Sequence, residues 1–200
     1  VLTASAATGT LKLLTVDLSP AGANLTQEGS LDWSHWGFSA PNDFDQKAIG
    51  GNPVNLIGNF IPYGSGTALS RFGSGVTYRW YDGTPNLTAT NNGAVYRFPA
   101  GNGFELNVAA AQTNRLLHVY LGTYQAVAHV EAYLSDNSAI KLIDESLPWG
   151  GNGKFNIQFA AGSPGQTLVF RVWFNSGGNV TFGAASLEGM PVLVAGTPTI

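Results

Sequence analysis

Short runs of Val, Leu, Phe, Tyr, Thr and Trp recur along the whole chain, divided by clusters of Gly, Asn, Asp and Pro, and no stretch keeps apolar residues at helical spacing for three turns. That pattern predicts an all-β protein. Strands are expected over 11–18, 32–38, 56–63, 76–81, 94–98, 104–108, 116–121, 126–134, 140–144, 155–160, 167–174 and 180–187. Within 167–174, Leu168, Phe170, Val172 and Phe174 fall on one face, while Thr167, Val169, Arg171 and Trp173 fall on the other. Asp82-Gly83, Asn92-Gly93, Gly101-Asn102-Gly103 and Ser176-Gly177-Gly178-Asn179 supply residues that tolerate positive φ, and they read as hairpin connections. Strands buried on one side suit a two-sheet antiparallel β-sandwich of the jelly-roll kind, with a closed barrel as the alternative.

The chain length fits one sandwich domain over 11–189, flanked by a small polar tail at 1–10 and an uncharged, Pro-containing tail at 190–200. No apolar run approaches the roughly 20 residues that cross a bilayer, so membrane insertion is not expected. A start at Val1 fits removal of a signal peptide and fits an excised piece equally well.

Composition narrows the function. The chain is 44% hydrophobic but only 10% charged, against roughly 25% charge in an average soluble domain, so its solubility rests on Asn, Thr, Ser and Gln. This uncharged surface points to an extracellular or cell-surface protein. A net charge of -3 with nine scattered Lys and Arg offers no field for phosphate, and nucleic acid is not an expected partner. Without Cys there is no disulfide and no thiol chemistry.

No catalytic constellation stands out. The close carboxylate pairs are Glu28 with Asp32 and Asp144 with Glu145, and adjacent residues of a strand point to opposite faces. Gly64-Ser65-Gly66 and Gly73-Ser74-Gly75 lack the nucleophile-elbow pattern and read as flexible loops. An enzyme is not expected.

The densest segment runs Asn24-Leu25-Thr26-Gln27-Glu28-Gly29-Ser30-Leu31-Asp32-Trp33-Ser34-His35-Trp36-Gly37. It resembles the opening signature of β-sandwich modules in large bacterial extracellular proteins, and Tyr81-Asp82-Gly83-Thr84-Pro85, Gly101-Asn102-Gly103-Phe104 and Val180-Thr181-Phe182 look similar to later pieces of the same family. The resemblance spans roughly 10–188 and implies a galactose-binding-like sandwich, the fold of many carbohydrate-binding modules, without an established activity. In such sandwiches a structural calcium often ties the first loop to the last strand, a role that Glu28 and Glu188 would fill by resemblance.

Strand parity separates Trp33 and His35 from Trp36. Either one indole plugs the core while His35 and Asp32 satisfy backbone groups, or an exposed indole meets a sugar ring. Parity also places His118 with Tyr120, and His129 with Glu131 and Tyr133, and Arg171 with Trp173 would extend that surface into a carbohydrate-binding face. A loop at 122–125 would make His118 and His129 cross-strand partners and a weak metal pair. Asp43 and Asp45, in a Pro-flanked loop, are the candidate calcium ligands read from the sequence itself, with an Asx turn as the alternative.

Two functions therefore stand side by side. One is a structural or adhesive subunit of a cell-surface or filamentous assembly, self-associating through terminal strands, with 190–200 or 1–10 as the donated strand. The other is a carbohydrate-binding module with a polysaccharide partner.

Overall fold

A computed structural model describes residues 8–190. Alternating apolar positions build the strands, which run β1 (Thr10–Asp17), β2 (Gly22–Asn24), β3 (Asp32–Trp36), β4 (Phe44–Ile49), β5 (Asn52–Pro53), β6 (Ile61–Tyr63), β7 (Leu69–Trp80), β8 (Gly83–Thr84), β9 (Ala89–Arg97), β10 (Gly103–Ala109), β11 (Arg115–Leu134), β12 (Leu142–Asp144), β13 (Gly150–Ala160) and β14 (Thr167–Gly189). One helical turn, α1 (Leu25–Glu28), interrupts them, with Asn24 as its N-cap. The protein is all-β, and every pairing is antiparallel except β2 with β7.

Two strands are far longer than the sequence pattern suggests. The expected strands at 116–121 and 126–134 are one strand, β11, and those at 167–174 and 180–187 are one strand, β14. The residues read as loop 122–125 and as the 176–179 hairpin are irregularities within these strands, where the β11–β14 register shifts between Ala126 and Ala128. Gln125 at φ 48 and Gly177 at φ 99 adopt positive φ there, so the local backbone chemistry matches a bulge rather than a reversal. The predicted cross-strand meeting of His118 and His129 falls with the loop, since both sit on β11.

This geometry makes the sandwich. The first half of β14 pairs with β10 and the second half of β11, and the second half of β14 pairs with β9, β3 and the first half of β11. Each long strand thus passes from one layer into the other. Leu117, Val119 and Leu121 point inward before the irregularity of β11, and Ala126, Ala128, Val130 and Ala132 after it, so the inward parity switches from odd to even. The two layers meet in one core, where the Phe104 ring of one layer stacks on the Phe182 ring of the other at 5.2 Å. The alternation read in 167–174 holds: Leu168, Phe170, Val172 and Phe174 are buried.

A second, smaller core lies on the outer face of the sheet. Val76, Tyr78 and Trp80 of β7 pack with Leu25, Trp33, Tyr120 and Ala184. The β7–β9 register breaks between Gly73 and Tyr78, so β7 leaves its neighbour and folds over the sheet. Gly73-Ser74-Gly75, expected as a flexible loop, belongs to this strand. Asn92-Gly93, expected as a turn, lies inside β9; Gly is required at 93 because a Cβ there would stand 1.9 Å from the Gly37 carbonyl oxygen.

The tail expected to donate a strand lies outside the described residues beyond Met190, as do residues 1–7 of the N-terminal tail. Among the described residues no helix is long and apolar enough to cross a membrane.

Candidate functional site

The aromatic residues of the dense segment build the interior. Trp33 is buried, donates its indole N–H to Asp82 Oδ1 at 2.8 Å and tilts against Trp80 at 5.2 Å. Trp36 is buried in the main core, 4.5 Å from Phe182, with its N–H given to Asn59 Oδ1. His35 is clamped between Trp80 at 5.0 Å and Tyr78 at 5.3 Å, and burial drives its pKa down to about 4. The reading in which an exposed indole of this segment meets a sugar is thereby corrected: the outer face over Trp33 and His35 is covered by β7, and neither indole reaches solvent.

Tyr120 and His118 are also buried. The Tyr120 hydroxyl donates to both oxygens of Glu28, at 2.9 and 3.0 Å, which also accepts from Ser186 and Lys154. Burial works to raise the Glu28 carboxyl, but His118, Lys154 and Ser186 outweigh it and hold it below its ordinary value. His118 lies between Asn156 Oδ1 and Glu188 Oε1, the latter at 3.2 Å. Glu28 thus pins α1 to three strands of the sheet.

The four carboxylates named as metal ligands are not gathered. Asp43 Oδ2 accepts the backbone N–H of Ser39 and Ala40, each at 2.7 Å, closing its own turn. Asp45 Oδ1 accepts from the Asn86 backbone and side chain at 3.1 and 2.9 Å, while Glu28 at the end of α1 and Glu188 on β14 sit near His118 of β11. No cluster of three or more His, Asp or Glu side chains able to hold a metal occurs among the described residues.

The remaining predicted residues do come together. Register pairs His129 with Trp173, Glu131 with Arg171 and Tyr133 with Val169. The His129 and Trp173 rings are 4.1 Å apart, and Tyr63 of β6 lies 5.1 Å beyond Trp173. Arg171 sits between the rings of Tyr133 and Tyr63, at 5.3 and 5.5 Å, and donates to Glu105 Oε2 at 2.6 Å, which raises its pKa despite partial burial. Glu131 takes Lys141 at 2.7 Å, and Glu145 takes His129 at 2.6 Å. Each of these charges already has its partner on the face itself, so the surface is a cross-linked sheet face on which the Tyr63, Tyr133 and Trp173 rings lie among paired charges.

A concave site lined by aromatic rings lies elsewhere, where β7 lifts off the outer face. Phe72 and Gly75 of β7, Tyr96 of β9, Thr123 and Tyr124 of β11, Gly151 and Asn152 of β13, and Asn179 and Thr181 of β14 line a cleft of about 370 Å³. None of these side chains is charged. The Phe72 and Tyr96 rings meet edge to face at 5.8 Å, and Tyr124 adds a third ring, 60% exposed. Tyr96, Thr181, Gly122 and Asn152 form one row across four adjacent strands, and paired positions share a face. Asn179, Tyr124 and Gly150 form a second row. The buried Asn179 Oδ1 has no hydrogen-bond partner among the described residues.

Sequence reasoning placed Gly75, Thr123, Tyr124 and Asn179 in presumed loops or turns and Thr181 in a family-like piece, but assigned none of the lining residues to a site, because they come from five strands. The available signal was the recurrence of Gly beside aromatics in 72–75, 122–124 and 149–153, which marks places where strands approach one another closely.

The arrangement is that of a β-sandwich with an uncharged aromatic cleft on its outer face. No family model and no curated protein matches the chain. Among solved structures it is similar to TmCBM61 in complex with beta-1,4-galactotriose, at 13% identity and a TM-score of 0.44, over 66% of this chain and 88% of that one. It is also similar to the K1 cleaved adhesin domain of Lys-gingipain from Porphyromonas gingivalis W83, at 13% identity and a TM-score of 0.36, over 67% and 100%. At these distances neither likeness assigns a residue or a ligand to this chain.

Proposed function

We propose that the protein is a non-catalytic carbohydrate-binding β-sandwich working outside the cell or on its surface. The observation that carries this reading is the cleft: three aromatic rings beside amide and hydroxyl groups, with no charged side chain. Aromatic faces suit the C–H faces of a sugar ring, and a few polar groups in an apolar hollow fix its orientation. Glycosidic cleavage in most glycosidases uses two facing carboxyls, and the lining residues supply none. The 24–37 block, which resembles a family signature, contributes to this function by building the interior rather than by touching ligand.

A neutral-glycan array followed by titration calorimetry tests the reading. Tyr96→Ala and Tyr124→Ala are expected to weaken binding at least tenfold, with the melting temperature of the Tyr124 variant unchanged because that ring is exposed. Failure of the wild type to bind any neutral glycan, or unaltered binding in both variants, overturns it.

An adhesive assembly is the second reading, favoured by β1. This strand pairs with β13 on one side only among the described residues, and an open edge accepts an added strand. Removal of residues 191–200 is then expected to lower the mass measured by light scattering to that of a single chain; an unchanged mass places the interface elsewhere.

A further inference from the structure

β7 closes one side of the cleft and touches the sheet at two places. The Phe72 ring meets Tyr96 of β9 at 5.8 Å, and Gly75 approaches β13 so closely that a Cβ there would stand 3.1 Å from Asn152 Nδ2. Between β9 and β13 lie β14 and β11, through the pairings of Tyr96 with Thr181, Thr181 with Gly122 and Gly122 with Asn152. The cleft therefore runs across the strands, over a floor about 14 Å wide at roughly 4.8 Å per strand spacing.

The aromatic rings on this floor are not one group. Phe72 and Tyr96 form a two-ring wall at the β9 end, whereas Tyr124 stands on β11, two strands across and two residues further along. With about 4.8 Å per strand and roughly 3.3 Å per residue, the Tyr96 and Tyr124 backbones lie about 12 Å apart, too far for a single pyranose ring to rest on both side chains. The strand between them, β14, carries Thr181 opposite Tyr96 and Asn179 opposite Tyr124, and paired positions share a face. Asn179 Oδ1 has no hydrogen-bond partner among the described residues, so no protein hydrogen bond fixes that end of the amide.

We propose that the cleft is built for a chain of sugars: Phe72 with Tyr96, and Tyr124 on its own, stack on two different units of one neutral oligosaccharide lying across the strands, and Thr181 and Asn179 bond the hydroxyl groups between them. This rests on the carbohydrate reading and deepens it, by making the ligand a segment of linked sugars rather than a single one. Each ring face meets the C–H face of one pyranose. Once the first unit is held, the glycosidic linkage delivers the next to its ring, so the second contact forms within the complex and adds affinity without a second association. A chain of uronic or sulfated sugars is disfavoured, because the lining holds no cation to meet their charges as they leave water.

The experiment is calorimetric titration of the wild type, Tyr124→Ala, Tyr124→Phe and Tyr96→Ala with monomer-to-tetramer ladders of cello-, manno-, xylo- and galacto-oligosaccharides. In a ladder that binds, the wild type is expected to gain about tenfold or more in affinity between the monosaccharide and the trisaccharide. Tyr124→Ala is expected to shrink that gain to about threefold or less, and Tyr124→Phe to keep it, since stacking uses the ring and not the hydroxyl. Tyr96→Ala is expected to weaken both ligands. The Tyr124 ring is exposed, so if Tyr96→Ala fails to fold, the two Tyr124 variants decide the matter alone. A wild type that binds the monosaccharide as tightly as the tetrasaccharide, or a gain with length that survives in Tyr124→Ala or is lost in Tyr124→Phe, overturns the two-platform site while leaving the cleft as a sugar site. Failure of every ladder to bind the wild type overturns the carbohydrate reading itself, and the two platforms with it.

Discussion

His35 and Asp32 stand three positions apart on β3, and burial pushes their pKa values in opposite directions. Burial between aromatic rings lowers the imidazole to about 4, so His35 is neutral in the folded protein at pH values where the unfolded chain, near 6.5, takes a proton. Its contribution to stability is whole above about pH 6.5 and is lost as pH falls toward 4. Asp32 runs the other way: burial raises its carboxyl to about 6 against the pull of backbone N–H groups from Ile57, Trp33 and Leu56. Its contribution is whole below its ordinary value of 3.8 and is lost as pH rises through 6. Each shift is worth up to about 3 kcal/mol at roughly 1.4 kcal/mol per pH unit, so the two slopes largely cancel in the wild type between pH 4 and 6. His35→Gln is expected to gain stability on acidification through that window, and Asp32→Asn to lose it, whatever their absolute stabilities. Urea titrations at pH 4, 5, 6 and 7 read the slopes; parallel curves for wild type and both variants would remove the assignment.

At the scale of elements, the irregularities of β11 and β14 are what the sequence conceals. Gly122 in the first segment and Gly177, Gly178 and Asn179 in the second are residue types that permit positive φ, and a hairpin and a bulge draw on the same types. The choice between them is made by whether the flanking segments keep a common neighbour, here the other long strand, and that is invisible in a short window. β4 was missed for a different reason: Phe44–Ile49 carries Asp45 and Lys47, two charges that the fold buries against Asn86 and Asp82. Gly177 shows how tight the bulge is, since a Cβ at this φ 99 residue would lie 1.8 Å from the Gln125 carbonyl oxygen. Gly177→Ala should cost at least about 3 kcal/mol, beyond the roughly 1–3 kcal/mol of left-handed backbone strain alone. Gly165→Ala is the control, at φ 73 with nothing within 4 Å, and should show the strain without the clash. Equal melting temperatures for the two variants would contradict this account of the bend.

Across the whole molecule, the all-β class, the one-sided burial and the surface grouping of His129, Glu131, Tyr133, Arg171 and Trp173 were legible, because a period of two is a local property. The cleft was not, because Tyr96, Thr181, Gly122 and Asn152 become neighbours only once four strands stand side by side. The shared long strands also bind the two layers into one unit: neither layer can be removed without dissolving β11 and β14. Calorimetry of residues 8–190 should therefore show one transition with equal calorimetric and van't Hoff enthalpies, and two resolved transitions would refute the interdependence. Because its ladder bonds run perpendicular to the strand, β14 has a mechanical consequence as well. If the cleft holds its glycan at Thr181, as proposed, β14 runs on from that point to Gly189, flanked by β11 on one side and by β3 on the other. Tension between a tethered glycan and the rest of the chain thus runs along the strand axis and loads both ladders in shear, many rungs together rather than one after another, so that under a steady pull the sugar lets go before the fold does.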